Sequence, residues 1–203
     1  MKIRVCMLTA AVAAAAVGEA LLPNGDFEHG RGGRPEYWQK PDGLGARWAE
    51  APEGGDGKAI CLDTRVTEKE MCAQWERTGL DEWIFPKPVD DPIARTYGLS
   101  FYSDPVPVDT GRTYRISFDY RTTRPGEGGK VWVRAYGEFR GRKRRLYETV
   151  VWCRVKDTSW HHFEETFHPA KCRKDLIDMK VMLFATFPPA EYWFDNVEIE
   201  EVE

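Results

Sequence analysis

The sequence is short of the features that announce most enzyme classes. It holds no G-x-S-x-G, no H-E-x-x-H and no phosphate-binding glycine loop. That removes the nucleophile-elbow hydrolases, the zinc peptidases and the P-loop nucleotide hydrolases. It has only four histidines and five cysteines, and no C-x-x-C pair, so a structural zinc site is not expected. It lacks a basic excess: 29 basic against 33 acidic residues give a formal charge of −4. A mild acidic balance keeps a chain soluble and argues against general affinity for nucleic acid. Heptads, internal repeats and a long amphipathic helix are also missing.

Only one long apolar run is present, at residues 5–17, and it follows Lys2 and Arg4. A basic start, a short apolar middle and small residues near Gly18 and Ala20 read as a secretory signal over residues 1–20. The expectation is an exported protein, extracellular or periplasmic, with no membrane association after cleavage. Residues 21–203 are then one domain. Cys61, Cys72, Cys153 and Cys172 lie in it, and an oxidising compartment permits disulfides. Three pairings are possible; 61 with 72 and 153 with 172 would staple neighbours, while buried free thiols are the alternative.

What remains is rich in period-two alternation. Residues 112–122 set Tyr114, Ile116, Phe118 and Tyr120 against Arg115, Ser117, Asp119 and Arg121. Residues 131–139 set Val131, Val133 and Ala135 against Trp132, Arg134 and Tyr136. Residues 146–155 set Tyr147, Thr149, Val151 and Cys153 against Glu148, Val150, Trp152 and Arg154. Strands are also expected at 21–27, 46–49, 59–62, 97–108, 160–167, 179–187 and 192–202. Turn residues between them predict an all-β antiparallel sandwich. Residues 64–96 break the pattern. They carry Trp75, Trp83 and Phe85 with three prolines, and read as an insertion holding at most a short helix near 68–75. Residues 140–145, RGRKRR, read as a basic turn.

The order of short motifs resembles a known family. NGDFE (24–28) is followed by Pro35 and Trp38, GKAICL (57–62), VPVDTGRTYRISFDY (106–120), TSWHHFEETF (158–167) and YWFDNVEI (192–199). This resembles carbohydrate-binding modules of the families four, nine and twenty-two type, and covers most of residues 21–202. The 64–96 stretch is longer than the family pattern has there. The resemblance implies a galactose-binding-domain-like jelly roll that binds a polysaccharide or oligosaccharide beside polysaccharide-degrading enzymes. It also implies a structural Ca2+ between the first and last strands. The matching positions are Asp26, Glu28 and Asp195, with carbonyls near Gly57 and Lys58.

The residues themselves suggest where a sugar would lie. If the three alternating strands are neighbours, Trp132, Tyr136 and Trp152 form a platform edged by Arg134, Asp119, Arg121 and Glu148, with Trp83 as a groove wall. Sugar C–H faces pack on rings, and sugar hydroxyls need fixed donors and acceptors. The same platform admits two other readings. One is a glycosidase or lyase on the same jelly-roll scaffold, with carboxylates such as Asp119 and Glu148. The other is a structural or adhesive module meeting another protein. His161 and His162 are adjacent on a strand, so they point apart and do not chelate one ion.

Overall fold

The computed structural model describes residues 20–79, 87–169 and 175–202. The strands, in chain order, are β1 (Gly30–Arg31), β2 (Arg34–Pro35), β3 (Ala46–Glu50), β4 (Lys58–Asp63), β5 (Leu99–Tyr102) and β6 (Val106–Pro107). They continue with β7 (Thr113–Thr122), β8 (Gly126–Phe139), β9 (Arg142–Val155), β10 (His161–Phe167), β11 (Leu176–Ala185) and β12 (Glu191–Val202). Among the described residues one α-helix, α1 (Glu68–Thr78), interrupts them. All pairings are antiparallel. The first sheet runs β10-β7-β12-β4-β3; the second runs β5-β11-β8-β9, with β6 also on β11. A small β1-β2 hairpin stands apart.

The alternation decides which faces meet. Tyr114, Ile116, Phe118 and Tyr120 of β7 are all buried, as are Val131, Val133 and Ala135 of β8. Tyr192, Phe194 and Ile199 of β12 and Met179, Val181 and Leu183 of β11 fill the same core. Each fully buried side chain of this size contributes roughly 1.5–3 kcal/mol. Burial of one face per sheet also fixes register, since a slip of one residue would turn every ring outward.

Residues 21–27 do not form the expected strand. Pro23 lacks an N–H, and Asn24 and Phe27 take left-handed φ of 54° and 56°. Asn24 organises a turn instead: its side-chain amide donates to the carbonyls of His29 and Glu36, both at 2.9 Å, and its Oδ1 accepts from the His29 N–H. The segment still closes the sandwich along β12. Leu21 N–H donates to the Ile199 carbonyl, and Val197 N–H donates to that of Gly25. A Cβ at Gly25 would stand 1.7 Å from the Val197 oxygen, so only glycine admits this approach. Gly25→Ala is therefore expected to lower stability by about 2 kcal/mol or more in urea unfolding. A loss below about 0.5 kcal/mol would show that the seam is not a close backbone contact.

The described part of the insertion is ordered by α1. Thr67 caps it in a capping box with Glu70, and Gly79 ends it in the left-handed conformation. Met71, Cys72 and Trp75 turn inward. The Trp75 indole N–H donates to Asp42 at 3.4 Å, and Met71 lies against Gly45. The helix thus pins the loop before β3. Helix α1 runs three residues further than the expected 68–75.

The open choice between disulfides and free thiols is decided for three cysteines, and the reading of the basic run is corrected. Cys61, Cys72 and Cys153 are buried free thiols. Cys61 and Cys72 are not bonded because Cys61 faces a small outer cluster with Ala59 and Trp193, while Cys72 faces the main core. Cys172 lies outside the described residues. The basic run is not a six-residue turn: Arg140 and Gly141, with φ of 53° and 71°, make the turn, and Arg142–Arg145 are already β9. Two residues at positive φ give a tight hairpin whose twist suits the flanking strands.

Candidate functional site

The outer face of the second sheet is ruled by cross-strand rows. Trp152 of β9 pairs with Lys130 of β8, and Lys130 with Phe184 of β11. The next row is Val150, Trp132, Met182 and Tyr102. Then come Glu148, Arg134 and Lys180, followed by Arg145, Tyr136 and Asp178. Tyr102, Trp132, Tyr136 and Trp152 therefore share one surface. Trp152 is 46% exposed at the β9 edge, and the others are half-buried. Helix α1 sits at the opposite, β5 side, where Trp75, Leu99 and Phe184 line one cavity. The described insertion leaves the β8-β9 half of the face open. Trp83 lies outside the described residues.

Cations attend these rings. Lys130 Nζ stands 4.0 Å from the Trp152 ring centre, Arg134 Cζ 5.1 Å from Trp132, and Lys143 Nζ 5.7 Å from Tyr136. Such contacts hold long side chains against a ring face and stabilise by roughly 0.5–1 kcal/mol at exposed sites. Arg134 is fixed further by the Tyr102 hydroxyl at 3.2 Å, the Met182 sulfur at 3.1 Å and Glu148 at 3.4 Å. Burial, with Tyr102 beside it, raises the Tyr136 phenol above its usual range, so it stays a neutral hydrogen-bonding group.

The condition that all three alternating strands be neighbours is met by two of them. Strand β7 belongs to the first sheet, so Asp119 and Arg121 lie on the other outer face. There Asp119 accepts from the Asn196 amide at 2.8 Å and meets the His162 ring at 2.8 Å, and Arg121 donates to the Thr158 carbonyl at 2.7 Å. Glu148 is across the sandwich from Asp119. The acid pair considered for hydrolysis does not flank one cleft.

Asp119 joins the acidic group instead. It stands opposite Asp195 in the β7-β12 ladder, an unfavourable like-charge placement. A recess of about 440 Å³ is lined by Asp26, Glu28, Asp56, Gly57, Asp195 and Asn196. Asp195 is only 4% exposed. Burial above all pushes its carboxyl up to about 7; the Asn196 N–H opposes this, and repulsion from Asp119, Glu28 and Asp26 adds to it. Glu28 accepts from the Lys58 N–H at 2.6 Å. These acids share a recess that is short of positive charge, which suits a hard cation. Among the described residues, no three His, Cys, Asp or Glu side chains already converge as ligands of one ion.

Ser159, His161 and Asp157 also meet. One ring nitrogen, Nε2, faces both Asp157 at 2.8 Å and Ser159 at 3.3 Å. A relay needs the two nitrogens on different partners. Asp157 accepts from the Ser159 hydroxyl and N–H as well as meeting the His161 ring, and these bonds, the hydroxyl's first, hold its carboxyl low, at about 2. This is a turn cap.

Sequence reasoning did not include Tyr102, Lys130, Lys180, Met182 or Phe184 in the platform, nor Asp56, Asn196 or Asp119 in the acidic group. The alternation of Asp178, Lys180, Met182 and Phe184 was a usable signal for one face. Its neighbour was not, because β11 pairs with β8 across two intervening strands.

Fold and face together define the class: an antiparallel β-sandwich with rings and charges sharing one outer sheet face. No protein-family profile matches the chain, and no curated protein matches it either. Solved structures do. A family 16 carbohydrate-binding module aligns at 17% identity and TM-score 0.52, over 90% of this chain and 99% of that one. The CBM22-1 xylan-binding domain from Paenibacillus barcinonensis aligns at 14% identity and TM-score 0.50, over 94% and 99%. An arabinose-bound GH51 α-L-arabinofuranosidase aligns at 12% identity and TM-score 0.55, over 90% of this chain but 26% of that one. At these identities the likeness establishes the fold.

Proposed function

We propose that the protein is a secreted, non-catalytic carbohydrate-binding module that holds a polysaccharide on the outer face of the second sheet. The observation that carries this reading is the set Tyr102, Trp132, Tyr136 and Trp152 on one open face. Rings give a sugar its stacking surface, and Arg134, Glu148 and Lys180 between them supply donors and acceptors in fixed places. A relative described as binding xylan has the same fold, which supports sugar as the ligand class. The separation of Asp119 from Glu148 speaks against hydrolysis by that pair. The signal-like residues 1–20 support secretion, and the family resemblance supports polysaccharide-degrading enzymes as companions. In the arabinofuranosidase the fold makes up about a quarter of the chain.

A structural Ca2+ is part of the reading. Asp26, Glu28 and Asp195 would hold it, and its charge would offset the acids that crowd Asp195. It would brace the seam between residues 21–27 and β12.

Affinity electrophoresis against glucans, xylans, galactans and pectins tests the function. Retardation by at least one polymer, without release of reducing sugar, is expected. Lack of retardation by every polymer at millimolar sugar would refute it, and an open platform that binds protein instead would favour an adhesive module. Reducing-sugar release, or an unsaturated product, would make the protein an enzyme.

A further inference from the structure

The proposed sugar face is cationic on an acidic protein. Its rows carry Lys130, Arg134, Lys143, Arg145 and Lys180, against Glu138, Glu148 and Asp178. The carboxylates are unevenly shared. Glu148 serves Arg134 at 3.4 Å and Arg145 at 3.1 Å, and Asp178 takes Lys143. Lys130 leans on rings. Lys180 has no ion pair among the described residues, although it is half-buried between Arg134 and the β5 edge. A recess of about 510 Å³ opens here, lined by Tyr102, Tyr136, Lys143 and Lys180 and by no carboxylate.

A neutral sugar would place hydroxyls in this recess and leave the Lys180 ammonium without a counter-charge. An anionic substituent supplies one, in a partly desolvated place where charge-assisted hydrogen bonds are about twice as strong as neutral ones. The Tyr102 and Tyr136 hydroxyls line the same recess and donate to the same anion. We propose that the recess receives the anionic group, carboxylate or sulfate, of an acidic polysaccharide, with Lys180 as its direct partner and Lys143 as the second. This inference rests on the carbohydrate-binding reading and narrows it to a substrate class.

The hairpin tip provides the control. Arg140, Arg142 and Arg144 line a separate recess with Phe139, so a merely electrostatic attraction would use them equally. Binding of the full chain to polygalacturonate, its fully methyl-esterified form, a sulfated galactan and neutral xylan would be measured by titration calorimetry and affinity electrophoresis. Polygalacturonate or the sulfated galactan is expected to bind at least about tenfold more tightly than the ester or xylan, and less tightly as salt rises. Which acidic polymer binds identifies carboxylate or sulfate as the anion. Lys180→Gln is expected to weaken that binding about fivefold or more, while Arg142→Gln with Arg144→Gln leaves it within twofold. Equal binding of acidic and neutral polymers, an unaffected Lys180→Gln, or an equal loss in the tip variant would overturn the inference and leave sugar binding standing. Binding of no polymer at all would overturn both.

Discussion

Asp195→Asn is expected to raise the melting temperature in EDTA at pH 8 and to lower it, relative to wild type, in millimolar calcium. Asp195 is buried, and its carboxyl is held near 7 rather than 3.8. A folded-state value above the unfolded one means the native fold favours the protonated form. The stabilisation this gives is complete below about pH 4 and lost as pH rises through about 7. At pH 8 the metal-free wild type therefore buries an anion that the native fold disfavours by roughly 4 kcal/mol at most. Solvent and local relaxation reduce this, so about 2 kcal/mol, or about 5 °C, is a reasonable size for the gain in the variant. Asparagine keeps an oxygen for the Asn196 N–H, which Asp195 now receives at 2.7 Å. Calcium reverses the order. At a hundredfold excess over its Kd the proposed ion would stabilise wild type by about 2.7 kcal/mol, and the variant would hold it with one charged oxygen replaced by a neutral one. Scanning calorimetry of both proteins, with calcium and with EDTA, checks the crossing. A wild-type melting temperature indifferent to calcium would refute the structural-ion reading.

The second large effect is expected from Trp132→Ala. Trp132 lies centrally in its row, between Val150 and Met182, with Arg134 against its ring. Its loss removes the middle of the platform and frees Arg134. Stacking on an aromatic side chain is worth roughly 1–3 kcal/mol to a bound ring, so affinity for the cognate polysaccharide is expected to fall by about fivefold to 150-fold. The partly solvated site limits the effect on stability to about 1–2 kcal/mol. Asp119→Ala and Arg121→Ala are expected to leave affinity unchanged, because both lie on the opposite outer face. Isothermal titration with the polymer selected by electrophoresis separates these outcomes. An Asp119 effect equal to that of Trp132 would place the sugar on the wrong sheet for this account.

The contrast between Asp119 and Trp132 shows what alternation reveals and what it hides. Period-two patterning identified the inward side chains of β7, β8 and β9 correctly, because each strand buries one face. It said nothing of which strands share a sheet. Consecutive β7 and β8 lie in different sheets, and β11 returns to β8 from far along the chain. A hairpin signal at Arg140-Gly141 made β8 and β9 neighbours, so Arg134, Tyr136, Glu148 and Trp152 came together as expected. Asp119 and Arg121 did not. Residues 21–27 failed for a local reason: the Asn24-Gly25 turn chemistry outweighed an apolar pattern. The N-terminal segment nevertheless closes on β12, as the motif order implied, through two backbone hydrogen bonds rather than a ladder. Acidic Asp26, Glu28 and Asp195 were legible from the same motifs. The involvement of Asp119 was not, since it arises from a cross-strand register that no local pattern encodes.

The eight tryptophans make the central claim directly measurable. An amide and indole NMR titration with the retained oligosaccharide would follow Trp132 and Trp152 on the proposed face, and Trp160 and Trp193 on the other. Selective movement of the Trp132 and Trp152 indole signals, together with the amides around Tyr136 and Lys180, is the predicted result. Movement centred on Trp160, Trp193 or strand β7, with Trp132 and Trp152 silent, would contradict it.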